Sequence, residues 1–197
     1  MIDTHCHLDQ LDSPETVANE AESRRVMIVA VTNLPSHYAQ ALQHLEGFKY
    51  VRPALGLHPL MVAKHAAELT PFLRLARTAD YIGEIGLDFS PKGVATKDIQ
   101  VAQLDQMLNA LTDRPRFITV HSRQAVLPLL ELLSAKNIRP VVFHWFTGTA
   151  SELDRVVSSG HYLSGNPAMI GTKAGERVIN ETPTDRLLTE TDAPYAR

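Results

Sequence analysis

Tyr81-Ile82-Gly83-Glu84-Ile85-Gly86-Leu87-Asp88 is the stretch on which the fold turns: a short β-prone run that closes on carboxylates. Runs of the same kind lie on both sides of it. Met1–His5, Val26–Thr32 and Val51–Gly56 come before, and Arg116–His121, Arg139–His144, His161–Gly165 and Arg186–Thr191 come after. Their starts are roughly 20 to 35 residues apart, the length of a strand, a helix and two loops, which predicts a parallel sheet of repeated βα units. The segments between them carry helix signals. Ser13-Pro14 and Thr70-Pro71 place a capping residue ahead of a proline at the first helical position, and Thr149 with Glu152 can form a capping box. Leu127, Leu130 and Ser134 recur at helical spacing in Gln124–Lys136, with Pro128 confined to the first turn.

Eight such units without a GxGxxG fingerprint after any strand favour a TIM (β/α)8 barrel over an open doubly wound sheet. The eighth run ends about six residues before Arg197, so the last helix of the barrel is expected to be missing. With no Ser/Gly linker, low-complexity tract or sequence repeat, residues 1–197 are read as one domain.

Of the 197 residues, 44% are hydrophobic and 21% charged, a balance that excludes a disordered or collagen-like chain. The longest apolar run, Val26–Val31, is far shorter than the roughly 18 residues that cross a bilayer, so no membrane span is expected. Met1-Ile2-Asp3-Thr4-His5 lacks the basic and apolar regions of a signal peptide, and the lone Cys6 has no intramolecular partner. Both point to the cytoplasm. With 19 basic against 22 acidic residues, the net charge of -3 gives no global field for duplex nucleic acid, and any such contact must be local.

In a barrel of this kind the chemistry sits at the C-terminal ends of the strands, which is where this chain places its ionisable groups. His5 and His7 close the first run, His58 follows the third, and Glu84 and Asp88 close the fourth. His121 ends the fifth, His144 ends the sixth, and Asp192 follows the eighth. Two apart on a strand, His5 and His7 face one side while Cys6 faces the other, so the two imidazoles can chelate one ion. Charges at the ends of apolar runs are costly to bury alone, and a metal ion would pair them. Mixed imidazole and carboxylate donors suit Zn, Mn, Fe or Ni, and Mg less well. His5, His7, His121 and His144 with Glu84 and Asp192 supply enough ligands for two ions if Glu84 bridges them. A lone histidine is more often a packed or surface group than a ligand, and His37, His44, His65 and His161 are read that way. Trp145 and Phe89 follow strand ends, where an aromatic either stacks on a base or packs.

The ordered set Asp3-Thr4-His5-Cys6-His7-Leu8, Gly56-Leu57-His58-Pro59, Gly83 to Asp88, His121-Ser122-Arg123, His144-Trp145-Phe146-Thr147-Gly148 and Glu190-Thr191-Asp192-Ala193-Pro194 resembles the TatD family of metal-dependent deoxyribonucleases. Within it, Val31-Thr32-Asn33-Leu34-Pro35-Ser36, the His144 to Gly148 segment and Gly165-Asn166-Pro167-Ala168-Met169 look most like the TatD-like component of Qat anti-phage defence systems. The family resemblance implies a TIM barrel of the amidohydrolase type, two divalent ions (Mg, Mn or Zn) and hydrolysis of DNA phosphodiesters. It places His5, His7, Glu84 and Asp192 on one ion and Glu84, His121 and His144 on the second, with His58 facing the scissile phosphate. Members usually continue past the TDAP-like segment through a last helix, so this barrel is expected to be C-terminally short.

On that reading Asp192 is the expected base, and His58 and Arg123 donate to phosphate or leaving oxygens, with Arg123 alternatively orienting a ligand. Trp145 would contact the substrate. The acidic balance of the chain favours a single-stranded DNA end and exonuclease-like action. The same centre can serve an alternative, hydrolysis of an ester or amide such as an aminoacyl-nucleic acid. A further alternative is a non-catalytic subunit of a defence complex, against which the full ligand set argues.

Overall fold

The computed structural model describes residues 1–196. Eight strands run in chain order: β1 (Ile2–Cys6), β2 (Met27–Val31), β3 (Val51–Ala54), β4 (Tyr81–Gly86), β5 (Phe117–His121), β6 (Val142–Phe143), β7 (Tyr162–Gly165) and β8 (Leu187–Thr189). Between them lie α1 (Pro14–Arg24), α2 (Pro35–His44), α3 (Leu69–Leu75), α4 (Lys97–Asn109), α5 (Val126–Ala135), α6 (Ala150–Ser158) and α7 (Lys173–Glu181). Parallel ladders join β1, β2 and β3 in one sheet and β4 through β8 in another. The strand order is that of a (β/α)8 barrel, with two seams where the ladder is brief.

At the first seam Leu55 bridges Ile82, with the Leu55 N–H on the Tyr81 carbonyl and the Gly83 N–H on the Leu55 carbonyl, each at 2.9 Å. The second seam lies between β8 and β1. There the Thr4 hydroxyl donates to the Thr189 carbonyl at 3.0 Å, and the Thr189 hydroxyl donates to the Ile2 carbonyl. Beyond the strand ends the Asp192 N–H meets the His5 carbonyl at 2.8 Å and the His7 N–H meets the Ala193 carbonyl at 3.0 Å. Buried Asp3 reinforces this join, accepting from the Thr191 N–H at 3.0 Å and from its hydroxyl at 2.6 Å. The seam therefore brings Asp192 to His5 and His7.

Helices cover the sheet on its outer face. Phe72 of α3, Leu104, Met107 and Leu108 of α4, Leu129 and Leu133 of α5, and Leu153 and Val156 of α6 share one buried cluster with Ile82, Ile85, Ile118, Val120, Phe143 and Leu163. Each such side chain contributes roughly 1.5–3 kcal/mol by leaving water. Two glycines set the level of the site. A Cβ on Gly86, whose φ is +141°, would lie 2.0 Å from the His121 carbonyl oxygen, and one on Gly56 would lie 1.7 Å from that of Thr32. These close approaches leave the Thr32 carbonyl free to accept the Glu84 N–H at 3.1 Å and the Glu84 carbonyl to accept from Leu57 at 3.1 Å.

All eight expected strands are present, and their edges differ for local reasons. β6 shrinks to two residues because Pro140 offers no N–H to a ladder and only Val142 and Phe143 pair with β5 and β7. β8 stops at Thr189 because the Thr191 N–H is taken by Asp3. The Thr149–Glu152 capping box forms as expected, and α5 carries Pro128 in its first turn. Ser13 precedes Pro14 at the start of α1 but makes no side-chain cap bond. Thr70 is not a cap: a 3-10 turn at Ala66–Glu68 runs into α3, which begins at Leu69 and takes Thr70 and Pro71 into its first turn. Among the described residues no helix follows β8, and none is long and apolar enough to cross a membrane.

Candidate metal centre

Glu84 lies at the centre of the C-terminal face of the barrel, 2% exposed, and its two oxygens look at different imidazoles. Oε1 is 2.7 Å from His121 Nδ1, 2.8 Å from His144 Nε2 and 3.5 Å from His58 Nε2. Oε2 is 3.4 Å from His7 Nε2 and 3.7 Å from His5 Nε2. Asp192 Oδ1 closes the second side at 3.5 Å from His7 Nε2 and 3.9 Å from His5 Nε2. Three groups have ligand atoms within 4.8 Å of one another: His5 with His7 and Glu84, His5 with His144 and Asp192, and His58 with Glu84 and His121.

The strands and their loops hold each ring from behind. His5 Nδ1 is 2.9 Å from the Thr119 hydroxyl on β5, which turns Nε2 inward, and the His5 ring stacks on His144 with centroids 3.7 Å apart. Asp88 Oδ2 takes His121 Nε2 at 2.9 Å, and Asp88 is itself fixed by the Ser90 N–H at 2.9 Å and by Gln100, whose Oε1 accepts the Asp88 N–H at 2.8 Å. His58 Nδ1 accepts the Leu60 N–H at 3.1 Å, so a neutral His58 carries its proton on Nε2, facing the site. Asp192 adopts a left-handed backbone with φ 45°, and the N–H groups of Tyr195 and Ala196 donate to its carbonyl at 2.8 and 3.1 Å.

Electrostatics separates the groups. Burial pushes His58 down to about 4 and lowers His5 far below its ordinary value, so both are neutral near pH 7. Burial opposes the charge on His121 too, but its bonds to Asp88 and Glu84 outweigh that and raise it to about 9. Burial alone would raise Glu84, yet the surrounding imidazoles, His58 and His144 foremost, hold it well below the usual carboxylate range. Asp192 goes the other way, lifted by burial to about 6.

A metal fits these residues on a specific ground. His5 Nε2 and Asp192 Oδ1 are buried polar atoms without a hydrogen-bond partner, and both border the space beside Glu84. Buried polar atoms of this kind are costly unless something binds them, and imidazole nitrogen with carboxylate oxygen is a donor set that divalent transition ions accept.

The structure thus brings His5, His7, His58, Glu84, His121, His144 and Asp192 together. Trp145 directly follows His144, half-buried with φ 35°. Arg123 is exposed, and its side chain meets no hydrogen-bonding or charged partner among the described residues, so it orients no ligand here. Sequence reasoning misses Asp3, Thr119, Gln100 and Glu190 as supports, and misses the role of Asp88 behind His121. A legible signal existed for Asp3 and Glu190: each is an acidic residue two positions before a site residue in a β run, and a charge there needs a partner.

Eight parallel strands with a buried imidazole and carboxylate cluster at their C-terminal ends define a TIM-barrel fold of the amidohydrolase type whose clustered residues could hold a metal ion. The chain belongs to the TatD related DNase family, whose model matches residues 2–197. It is 27% identical over 213 residues to "Deoxyribonuclease TATDN3" of Homo sapiens, covering 98% of this chain and 78% of that protein. It is 31% identical over 195 residues to "3'-5' ssDNA/RNA exonuclease TatD" of Edwardsiella piscicida, covering 93% of this chain and 74% of that one. The Escherichia coli metal-dependent hydrolase YjjV, of uncharacterized function, is 29% identical over 205 residues. Its crystal structure matches with a TM-score of 0.85 and 27% identity, covering 100% of this chain and 80% of YjjV.

Proposed function

We propose that this chain hydrolyses DNA phosphodiesters, acting as an exonuclease on single-stranded ends, with two divalent ions held on the two sides of Glu84. One observation carries the reading: Glu84 is buried with Oε1 turned to His121 and His144 and Oε2 turned to His5 and His7. His5, His7, Asp192 and Glu84 would hold the first ion, and Glu84, His121 and His144 the second. Mg, Mn or Zn would serve, with the imidazoles favouring Mn or Zn. What divalent ions supply when bound is Lewis acidity toward water and toward the non-bridging phosphoryl oxygens.

The chain's own residues do the rest. Asp192 accepts the proton of the attacking water. His58 is a neutral donor, its Nε2–H fixed by the Leu60 bond to Nδ1, and it hydrogen-bonds the phosphate rather than a cation. Arg123, exposed on the loop after β5, meets a strand phosphate, and Trp145 offers a face for base stacking. Support for single-stranded substrate comes from the name of the 31% identical relative and from the net charge of -3, which disfavours duplex.

Residues 1–197 act as one domain in this reading, in the cytoplasm, where buried Cys6 stays a thiol. The likeness of segments 31–36, 144–148 and 165–169 to the Qat component extends the proposal to anti-phage defence with other Qat proteins as partners. Plaque counts on cells carrying the wild type or Glu84→Gln decide that part, equal counts overturning it.

The direct test is cleavage of end-labelled single-stranded DNA by the purified chain with Mg, Mn or Zn, beside EDTA and a folded Glu84→Gln control. Metal-dependent release of mononucleotides by the wild type alone is expected. A folded, metal-loaded protein that releases none would overturn the proposal.

A further inference from the structure

Glu190, just after β8, is buried, 4% exposed, and residues at the ends of β6 and β7 converge on it. Its Oε1 accepts the Trp145 N–H after β6 at 2.9 Å and the Asn166 side-chain amide after β7 at 2.9 Å. The Ser164 hydroxyl at the end of β7 donates to Oε2. His144 Nδ1 is buried without a hydrogen-bond partner, and Glu190 Oε1 is the carboxylate oxygen nearest its far side, 4.0 Å away. Between these contacts Trp145 sits at φ 35°, a left-handed conformation that a bulky residue keeps only when its surroundings over-determine it.

We infer that Glu190 is the positioning residue of the loop after β6: it holds Trp145 in the left-handed turn and thereby sets the His144 ring with its proton on Nδ1, toward Glu190, and Nε2 toward Glu84. The second half rests on the two-ion reading, because an Nδ1 proton leaves the Nε2 lone pair available to a cation. Carboxylate partners of this kind fix the tautomer and orientation of a ligating imidazole.

Trp145 is the only tryptophan, so the emission of the metal-free protein reports on this turn. Glu190→Gln keeps an oxygen for the Trp145 and Asn166 donors and reverses the Ser164 bond, its amide donating to the hydroxyl, while losing the charge. Glu190→Ala loses both the bonds and the charge. The experiment is emission of the metal-free variants, a melting curve for each, and calorimetric titration with Mn2+ or Zn2+.

Glu190→Ala is expected to shift the emission to the red and to weaken cation affinity about 10- to 100-fold. Glu190→Gln is expected to keep the wild-type emission while binding the cation several-fold more weakly. If the alanine chain does not fold, Ser164→Ala replaces it, with a smaller red shift expected. Unchanged emission and affinity in Glu190→Ala, or in Ser164→Ala where it stands in, would overturn the inference, as would a Glu190→Gln emission shifted as far as that of alanine. A wild type that takes up no cation would instead overturn the two-ion reading, and the metal-free emission would still decide the role of Glu190.

Discussion

Asp88 and His121 give the metal-free protein a pH dependence whose sign follows from their partnership. His121 is raised from 6.5 to about 9, so its contribution is complete below 6.5 and is lost as pH rises through about 9. Asp88 is lowered from 3.8 to about 2, so its contribution is present above 3.8 and is lost as pH falls through about 2. Metal-free Asp88→Asn should therefore melt well below the wild type near pH 6, with the gap closing toward pH 10; a gap constant across that range would contradict the pairing. His58 gives a second prediction at this scale. If His58 serves as the proposed phosphate donor rather than as a ligand, His58→Ala should lower kcat about 100- to 1000-fold and leave bound metal unchanged, measured by steady-state cleavage and metal analysis. Loss of an ion from that variant would make His58 a ligand, as its closeness to Glu84 and His121 allows.

Elements built from strong local signals are legible in the amino-acid sequence, and those shaped by distant partners are not. Thr149 and Glu152 define the start of α6 by themselves, so Thr149→Ala should cost about 1 kcal/mol in a denaturant melt with cleavage unchanged. A cost near zero would mean that tertiary contacts alone fix α6. Thr70 shows the opposite case: its Thr-Pro signal is overridden by the turn at Ala66–Glu68, which starts α3 earlier. The site divides in the same way. Histidines and carboxylates at strand ends could be read from the chain because β periodicity fixes which face each presents. Thr119 beneath His5 and Thr191 as the partner of Asp3 could not, since 114 and 188 residues separate these pairs and only the assembled strands join them, while Gln100 reaches back to Asp88 from 12 residues on, within one βα unit. Gly86 links the two levels. Its Cβ would strike the His121 carbonyl, so Gly86→Ala should lower both the melting temperature and metal uptake, and normal uptake in a folded variant would contradict its role in placing the site.

At the scale of the whole molecule, the weak net charge and the one such centre among the described residues fit the proposed exonuclease action on a strand end held by few phosphates. The logarithm of affinity for single-stranded DNA, measured against the logarithm of salt with Glu84→Gln to prevent cleavage, should fall with a slope of about -2. A slope steeper than about -4 would require some six released ions and an extended binding track. The roles proposed for Asp192 and His58 in cleavage depend on Glu84 standing between two ions. The most direct measurement is therefore metal content per chain, after stripping and reloading with Mn2+ or Zn2+, for the wild type and for folded Glu84→Gln. Two ions in the wild type and the loss of at least one in Glu84→Gln is the predicted result; one ion or none in the wild type, or two retained without Glu84, would contradict it.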